Sequence, residues 1–341
     1  MTNEQKYVNI IVIKCDYLIL PRNGSEPMKK VLVDGHYGTV NLNLNKMIMN
    51  RDDLEVIYLE SKKKVTNEQR VNLLNTADIV ILCQSAQTVV ETIPLITNRE
   101  VKVIDTSNAY RLSPNWVYGM PELSPDQRRK IQSARFVSIP APMAVGTIAL
   151  LNPLLKGKIM PPYLPLYVNS VVGYSSGGAN MIALYEDPAR PRSYSSARQY
   201  GLDQNILQQK EIMHACGVSY RPSLNPMIDD YPNGILVTVP IQLRTLSKRL
   251  HAKQVWEVMC RFYERERLVQ VEDFDGSIED LGGFLDAGGM AGSNRMQIFV
   301  FGDNDICLLA ARFDNLGKGG AGAVVQNMNL MLGLDEFKGV I

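Results

Sequence analysis

The chain has 341 residues, of which 45% are apolar and 21% charged, with a formal net charge of +1. This length suits two domains or one large α/β unit with a sizeable core. The near-zero charge excludes a global field that would recruit nucleic acid or an anionic membrane, and no run of about 20 apolar residues calls for a transmembrane segment.

Residues 1–30 read as an extension, with a strand candidate at Val8–Ile13 and a linker at Pro21–Pro27. It lacks a secretory cleavage signal, because the apolar run is followed by Lys14 and Asp16. From Val31 the pattern alternates. Val31–Val33, Leu54–Leu59, Ile79–Cys83 and Val101–Ile104 are apolar strand candidates, and Val137-Ser138 closes this half. Helical stretches fall between them, one ending near Met49, one at Asn67–Asn75 and one at Thr88–Thr97. Strands that are apolar throughout and alternate with helices predict a parallel sheet covered on both faces. After Pro140 the character changes. Val168–Val172, Ile235–Pro240 and Met296–Phe301 are strand candidates and His251–Glu266 is an amphipathic helix, which predicts an α+β unit with a mostly antiparallel sheet. A Gly-rich turn, Gly317–Gly322, then opens a helix to Leu332.

Two turns could meet a ligand. Gly35-x-x-Gly38, between a strand and a helix, is the kind of turn that presents backbone N–H groups to a pyrophosphate, although Asn41 stands where a third glycine would fall. It also reads as a purely structural tight turn. Glu60, 25 residues after Gly35, lies near where an acid would take a ribose hydroxyl, and Lys62-Lys63-Lys64 is either an NADP phosphate contact or a solvated charge run. The Gly317–Gly322 turn serves either ligand approach to free helix N–H groups or close packing between domains. The five cysteines, Cys15, Cys83, Cys216, Cys260 and Cys307, include no CxxC pair, and with three histidines no metal site is expected. Reduced thiols and an intracellular location, cytoplasm or organelle matrix, are the default expectation.

Taken together, several stretches resemble the short form of the N-acetyl-γ-glutamyl-phosphate reductase family. They are Asp105–Arg111, Tyr118–Leu123, Gly173–Gly178, Leu236–Pro240, Asp314–Gly319 and Gly322–Gly333. The resemblance spans about Val31 to Leu334. It implies a Rossmann-type parallel-sheet domain, residues 31–139 plus 313–341, and a glyceraldehyde-3-phosphate-dehydrogenase-like α+β domain, residues 140–312. It further implies a reaction in which a cysteine thiolate attacks an acyl phosphate and NADPH reduces the thioester, with a histidine as acid/base; a homo-oligomer or a larger assembly is the expected state. The expected cofactor contacts are Gly35, Gly38, Ser107, Arg111, Gly317, Lys318 and Gly319.

The chain departs from that pattern in a consistent way. The family's Asn-Pro-Gly-Cys-Tyr-Pro-Thr-Gly turn stands here as Ile139–Gly146, with Pro142 at the cysteine position. Its His-Lys-His-x-Pro-Glu segment falls at Ile206–Glu211, with Gln208 near the histidine position, and Ala179 replaces a basic residue. Proline suits a first helical position but supplies neither thiol nor N–H. His214 and Cys216, two apart, would not face the same side of a helix, so they do not read as a replacement pair. The expected function is therefore that of a catalytically inactive relative, a structural or regulatory subunit of an oligomer or larger assembly. The alternatives are an NAD(P)-dependent oxidoreductase with altered chemistry and a dinucleotide sensor without turnover.

Overall fold

A computed structural model of the chain describes residues 28–35, 39–59, 65–274 and 277–341. The readings made on Val8–Ile13, Pro21–Pro27, Gly38, Glu60 and Lys62–Lys64 fall outside these residues.

The first half alternates as its pattern predicts. In chain order it contains β1 (Lys29–Asp34), α1 (Thr39–Ile48), β2 (Leu54–Leu59), α2 (Asn67–Thr76), β3 (Ile79–Leu82), α3 (Ala86–Thr92), β4 (Lys102–Asp105), β5 (Val117–Tyr118), α4 (Pro125–Ser133) and β6 (Phe136–Ser138). The strands form one parallel sheet in the order β2-β1-β3-β4-β6-β5. Helix starts follow local capping chemistry: Thr66 and Gln69 form a capping box at α2, and Ser85 caps α3. The helix expected at Thr88–Thr97 begins earlier, at that cap, and ends at Thr92 in a turn containing Pro94, which has no N–H to continue it.

The second half contains α5 (Pro142–Lys156), β7 (Tyr167–Gly173), α6 (Gly178–Glu186), β8 (Arg198–Gln199), α7 (Leu207–Cys216), β9 (Ser223–Asp229), β10 (Ile235–Gln242), α8 (Ala252–Tyr263), β11 (Val269–Val271), α9 (Ser277–Asp280), β12 (Met296–Gly302), β13 (Ile306–Phe313) and α10 (Gly322–Leu332). Its seven strands run β11-β12-β13-β10-β7-β9-β8, antiparallel except for β11-β12 and β7-β9. The amphipathic helix expected at His251–Glu266 is shorter, because His251 is its N-cap and Glu264 its C-cap.

One face of this second sheet packs on α5, α7 and α8 around Ile148, Leu150, Val237, Met259 and Phe313. The other face is partly open: Tyr167 and Ile306 are 58% and 48% exposed, whereas Phe299 and Arg312 on the same face are buried. The first sheet is buried on both faces. Leu32, Leu74, Val80 and Val103 build one core, while Val31, Ile48, Ile104, Val324 and Met328 build the other, so the last helix completes the first core. Helix α5 runs through the centre of the molecule, with Met143 to Leu154 all buried. Pro153 leaves the Ala149 carbonyl without its usual helical donor, and the buried Tyr263 hydroxyl donates to it at 2.7 Å.

Candidate functional site around the start of helix α5

Pro142 is the first residue of α5 and fits there, since a first-turn N–H has no helical partner in any case. The N-cap, Ala141, has no capping side chain of its own, and α7 supplies one. The Ala141 N–H donates to Glu211 Oε1 at 2.8 Å, and the Tyr118 hydroxyl donates to the same oxygen at 2.8 Å. Arg111 lies beside them. Its Nε donates to the Ile139 carbonyl at 2.8 Å and its Nη1 stands 3.7 Å from Glu211 Oε2. Glu211 is fully buried. Burial pushes its carboxyl above the usual glutamate range, against the pull of Arg111, the Ala141 N–H and the Tyr118 hydroxyl. Burial together with the adjacent Glu211 pushes the Tyr118 phenol well up.

Gln208 is half-buried in the first turn of α7, three residues before Glu211 and therefore on the same helix face. His214 is exposed at the far end of α7, two residues before Cys216. Ala179 lies exposed in the first turn of α6. No described thiol is poised to ionise near neutral pH. Burial pushes Cys83, Cys216 and Cys307 each up to about 12, and raises Cys260 as well.

The Gly-rich turn packs directly beneath Pro142. A Cβ on Gly319 would lie 2.9 Å from Pro142 Cβ, and one on Gly317 would lie 2.3 Å from the Ser293 carbonyl oxygen. Side chains are excluded here by the protein's own packing, which favours the close-packing reading of this turn. Lys318 is buried, and its Nζ donates to Glu122 Oε1 at 2.6 Å and to Gln326 Oε1 at 2.9 Å. Gln326 Nε2 donates back to Glu122 Oε1 at 2.8 Å. Burial acts to raise the Glu122 carboxyl, but the Lys318 ammonium and the Gln326 amide outweigh it and hold it below the usual glutamate value.

In this strand order the topological switch point lies between the carboxyl ends of β1 and β3. Gly35 stands there, and a Cβ on it would lie 2.2 Å from the Cys83 carbonyl oxygen. Asn41, 8% exposed, donates from Nδ2 to the Gly35 carbonyl at 2.9 Å, so its amide braces the turn. The other expected cofactor contacts are engaged inside the protein. The Ser107 N–H donates to Asp105 Oδ1 and its hydroxyl accepts from Ala109, while Arg111 serves the Ile139 carbonyl. At Gly35, as at Gly317 and Gly319, the space a side chain would take is filled by the protein's own atoms. The described residues hold no cluster of three or more His, Cys, Asp or Glu that could bind a metal. None of their helices is long and apolar enough to cross a membrane.

Comparison with known proteins places this geometry. Residues 31–131 match the family described as "Semialdehyde dehydrogenase, NAD binding domain", and residues 143–315 match "Semialdehyde dehydrogenase, dimerisation domain". The N-acetyl-gamma-glutamyl-phosphate reductase 2 of Nostoc sp. is 37% identical over 318 residues, covering 91% of this chain and 99% of that protein. The chain belongs to the N-acetyl-γ-glutamyl-phosphate reductase family. Another member, from Brucella anthropi, is 36% identical over 89% of this chain and 98% of its own. Among solved structures, aspartate semialdehyde dehydrogenase II of Vibrio cholerae shares the fold at a TM-score of 0.68 and 14% identity, covering 90% of this chain and 99% of that one.

Within this reductase-family fold, Pro142, Gly319, Arg111 and Glu211 come together at the start of α5, and Gly35 lies at the sheet's switch point. The residue that sequence reasoning passed over is Glu211. Its spacing of three from Gln208 puts it on the face that meets α5, but only the fold shows that its carboxylate caps that helix.

Proposed function

We propose that this member of the reductase family does not reduce an acyl phosphate and serves as a structural or regulatory subunit, in a homo-oligomer or a larger assembly. The observation that carries the reading is the first residue of α5. The family resemblance puts a nucleophilic cysteine at this position, where a helix N-terminus would acidify its thiol, and this chain has Pro142 there. No described cysteine offers a replacement, since every one is held protonated by burial. Gln208, near the family's histidine position, has no group that exchanges a proton near neutral pH. The exposed part of the second sheet's outer face supports an assembled state, because it includes Tyr167 and Ile306.

The test is direct. The purified chain, given N-acetylglutamyl phosphate and NADPH, should turn over no faster than the buffer background. Robust turnover sinks the proposal. In the Pro142→Cys, Gln208→His double variant, recovered reduction would locate the deficit in those two positions. Gentle isolation followed by sizing should return an assembly, and a monomer at working concentration would count against the subunit reading.

A second reading rests on Gly35, which keeps the close turn at the switch point. There the chain would bind NADP without turnover. Calorimetry with NADPH decides it, because a subunit without a dinucleotide site gives no heat of binding.

A further inference from the structure

The far end of α5 has the opposite character to its start. A cavity of about 470 Å³ opens there, floored by Leu155, Met160 and Pro161 and rimmed by Lys156, Lys158 and Tyr163. Cys216, the last residue of α7, also lines it, so the two helices that meet at Glu211 both end against this space. Its walls are pinned by the backbone. The Ser247 N–H donates to the Ile159 carbonyl and the Ser219 N–H to the Pro162 carbonyl, each at 2.8 Å. The space is thus preformed, with an apolar floor.

The two lysines set its chemistry. Neither forms an ion pair among the described residues, and no acidic side chain lines the cavity. Lys158 is held in place by its backbone. Helix α5 ends in a Schellman motif, in which the Ile159 N–H reaches the Leu154 carbonyl at 2.8 Å and the Lys158 N–H reaches that of Leu155 at 3.0 Å. The left-handed position of this motif, which favours glycine, is held by Lys158 at φ 53°. A side chain is therefore kept where the backbone alone would prefer none, and it is a cation beside an apolar pocket.

We propose that this cavity binds a small organic anion with an apolar body, its carboxylate, sulfonate or phosphate group facing Lys156 and Lys158 and its body on Leu155, Met160 and Pro161. The cavity lies a helix length from Pro142, about 20 Å at 1.5 Å per residue. The presence or absence of reduction at the other end leaves it untouched.

Anilinonaphthalene sulfonate is a suitable fluorescent probe, with an uncharged naphthalene of similar size as its partner. One saturable site per chain is expected for the anion, weakened by salt and by roughly tenfold in the Lys156→Gln, Lys158→Gln double variant. Hydrogen exchange should slow at the carboxyl ends of α5 and α7 when the probe is bound. Lys158→Gly gives a sharper signature, since relief of the left-handed lysine should raise the melting temperature while anion binding falls. Equal binding of the neutral partner, binding indifferent to both lysine variants, or protection confined to other elements would each overturn the proposal.

Discussion

Glu122 and Glu211 are both buried, both accept from neighbouring donors, and yet they are held in opposite ways. Glu122 has an ammonium in contact at 2.6 Å and stays ionised. The closest cation to Glu211 is a guanidinium 3.7 Å away, and burial dominates its carboxyl. A buried carboxylate is thus a fixed tie when a cation touches it, and an adjustable one when neutral donors do most of the work. The first ties the returning chain to the loop before α4; the second caps α5.

Breaking the fixed tie should produce the largest effect. Lys318→Met leaves Glu122 buried without its cation and should cost about 3–5 kcal/mol at pH 7, read from urea unfolding. The penalty should shrink near pH 4, where Glu122 can protonate. Glu122→Leu added to Lys318→Met should recover part of the loss, because neither charge is then stranded. Gly319 stands between the two ties, and Gly319→Ala should cost about 1–3 kcal/mol, since its Cβ would meet Pro142 and Phe313.

Glu211→Gln should be milder, within about 1 kcal/mol of the parent, because the neutral amide resembles the form that burial favours. Its pH dependence sharpens the contrast. A carboxyl raised on folding subtracts stability as the pH climbs from its unfolded value, about 4.3, through its folded value. Replacing Glu211 by an amide removes that slope, so the variant should gain on the parent as the pH rises above about 4.3. Glu122, lowered on folding, adds stability above about pH 4.3 that disappears as the pH falls through its folded value. Equal slopes in both variants would erase the distinction. The smallest effect lies outside both ties: Lys158→Gly should stabilise the chain by roughly 0.5–1 kcal/mol.

Much of this could be read from residue order. Most strands of the first half were legible as apolar runs, unbroken at Ile79–Leu82 and interrupted only by Glu55 at Leu54–Leu59, while the two-residue β5 gave no such signal. The core role of α5 was not, since a helix buried all round shows no 3.6-residue period. Nor was β9, whose Pro226 reads as a strand breaker yet pairs with Ser170 of β7 in a parallel ladder. At the site, the spacing of Pro142 and Gln208 was visible through family resemblance. The internal use of Lys318 was hidden, because its partner Glu122 lies 196 residues away. The same distance problem hid the cavity, whose walls come from three separate stretches of chain.

The last helix has a further consequence, for how the molecule is made. Val324 and Met328 of α10 belong to the core that Val31 and Ile104 begin. During synthesis the first sheet is complete at Ser138, but one of its faces, packed by Ile48 of α1 and Ile131 of α4, lacks its last helix until the carboxyl end emerges. At cellular elongation rates that wait is roughly 10–40 s. For that interval the part of this core that Val324 and Met328 fill is open to water or a chaperone, and truncation from the carboxyl end should harm solubility out of proportion to the residues removed.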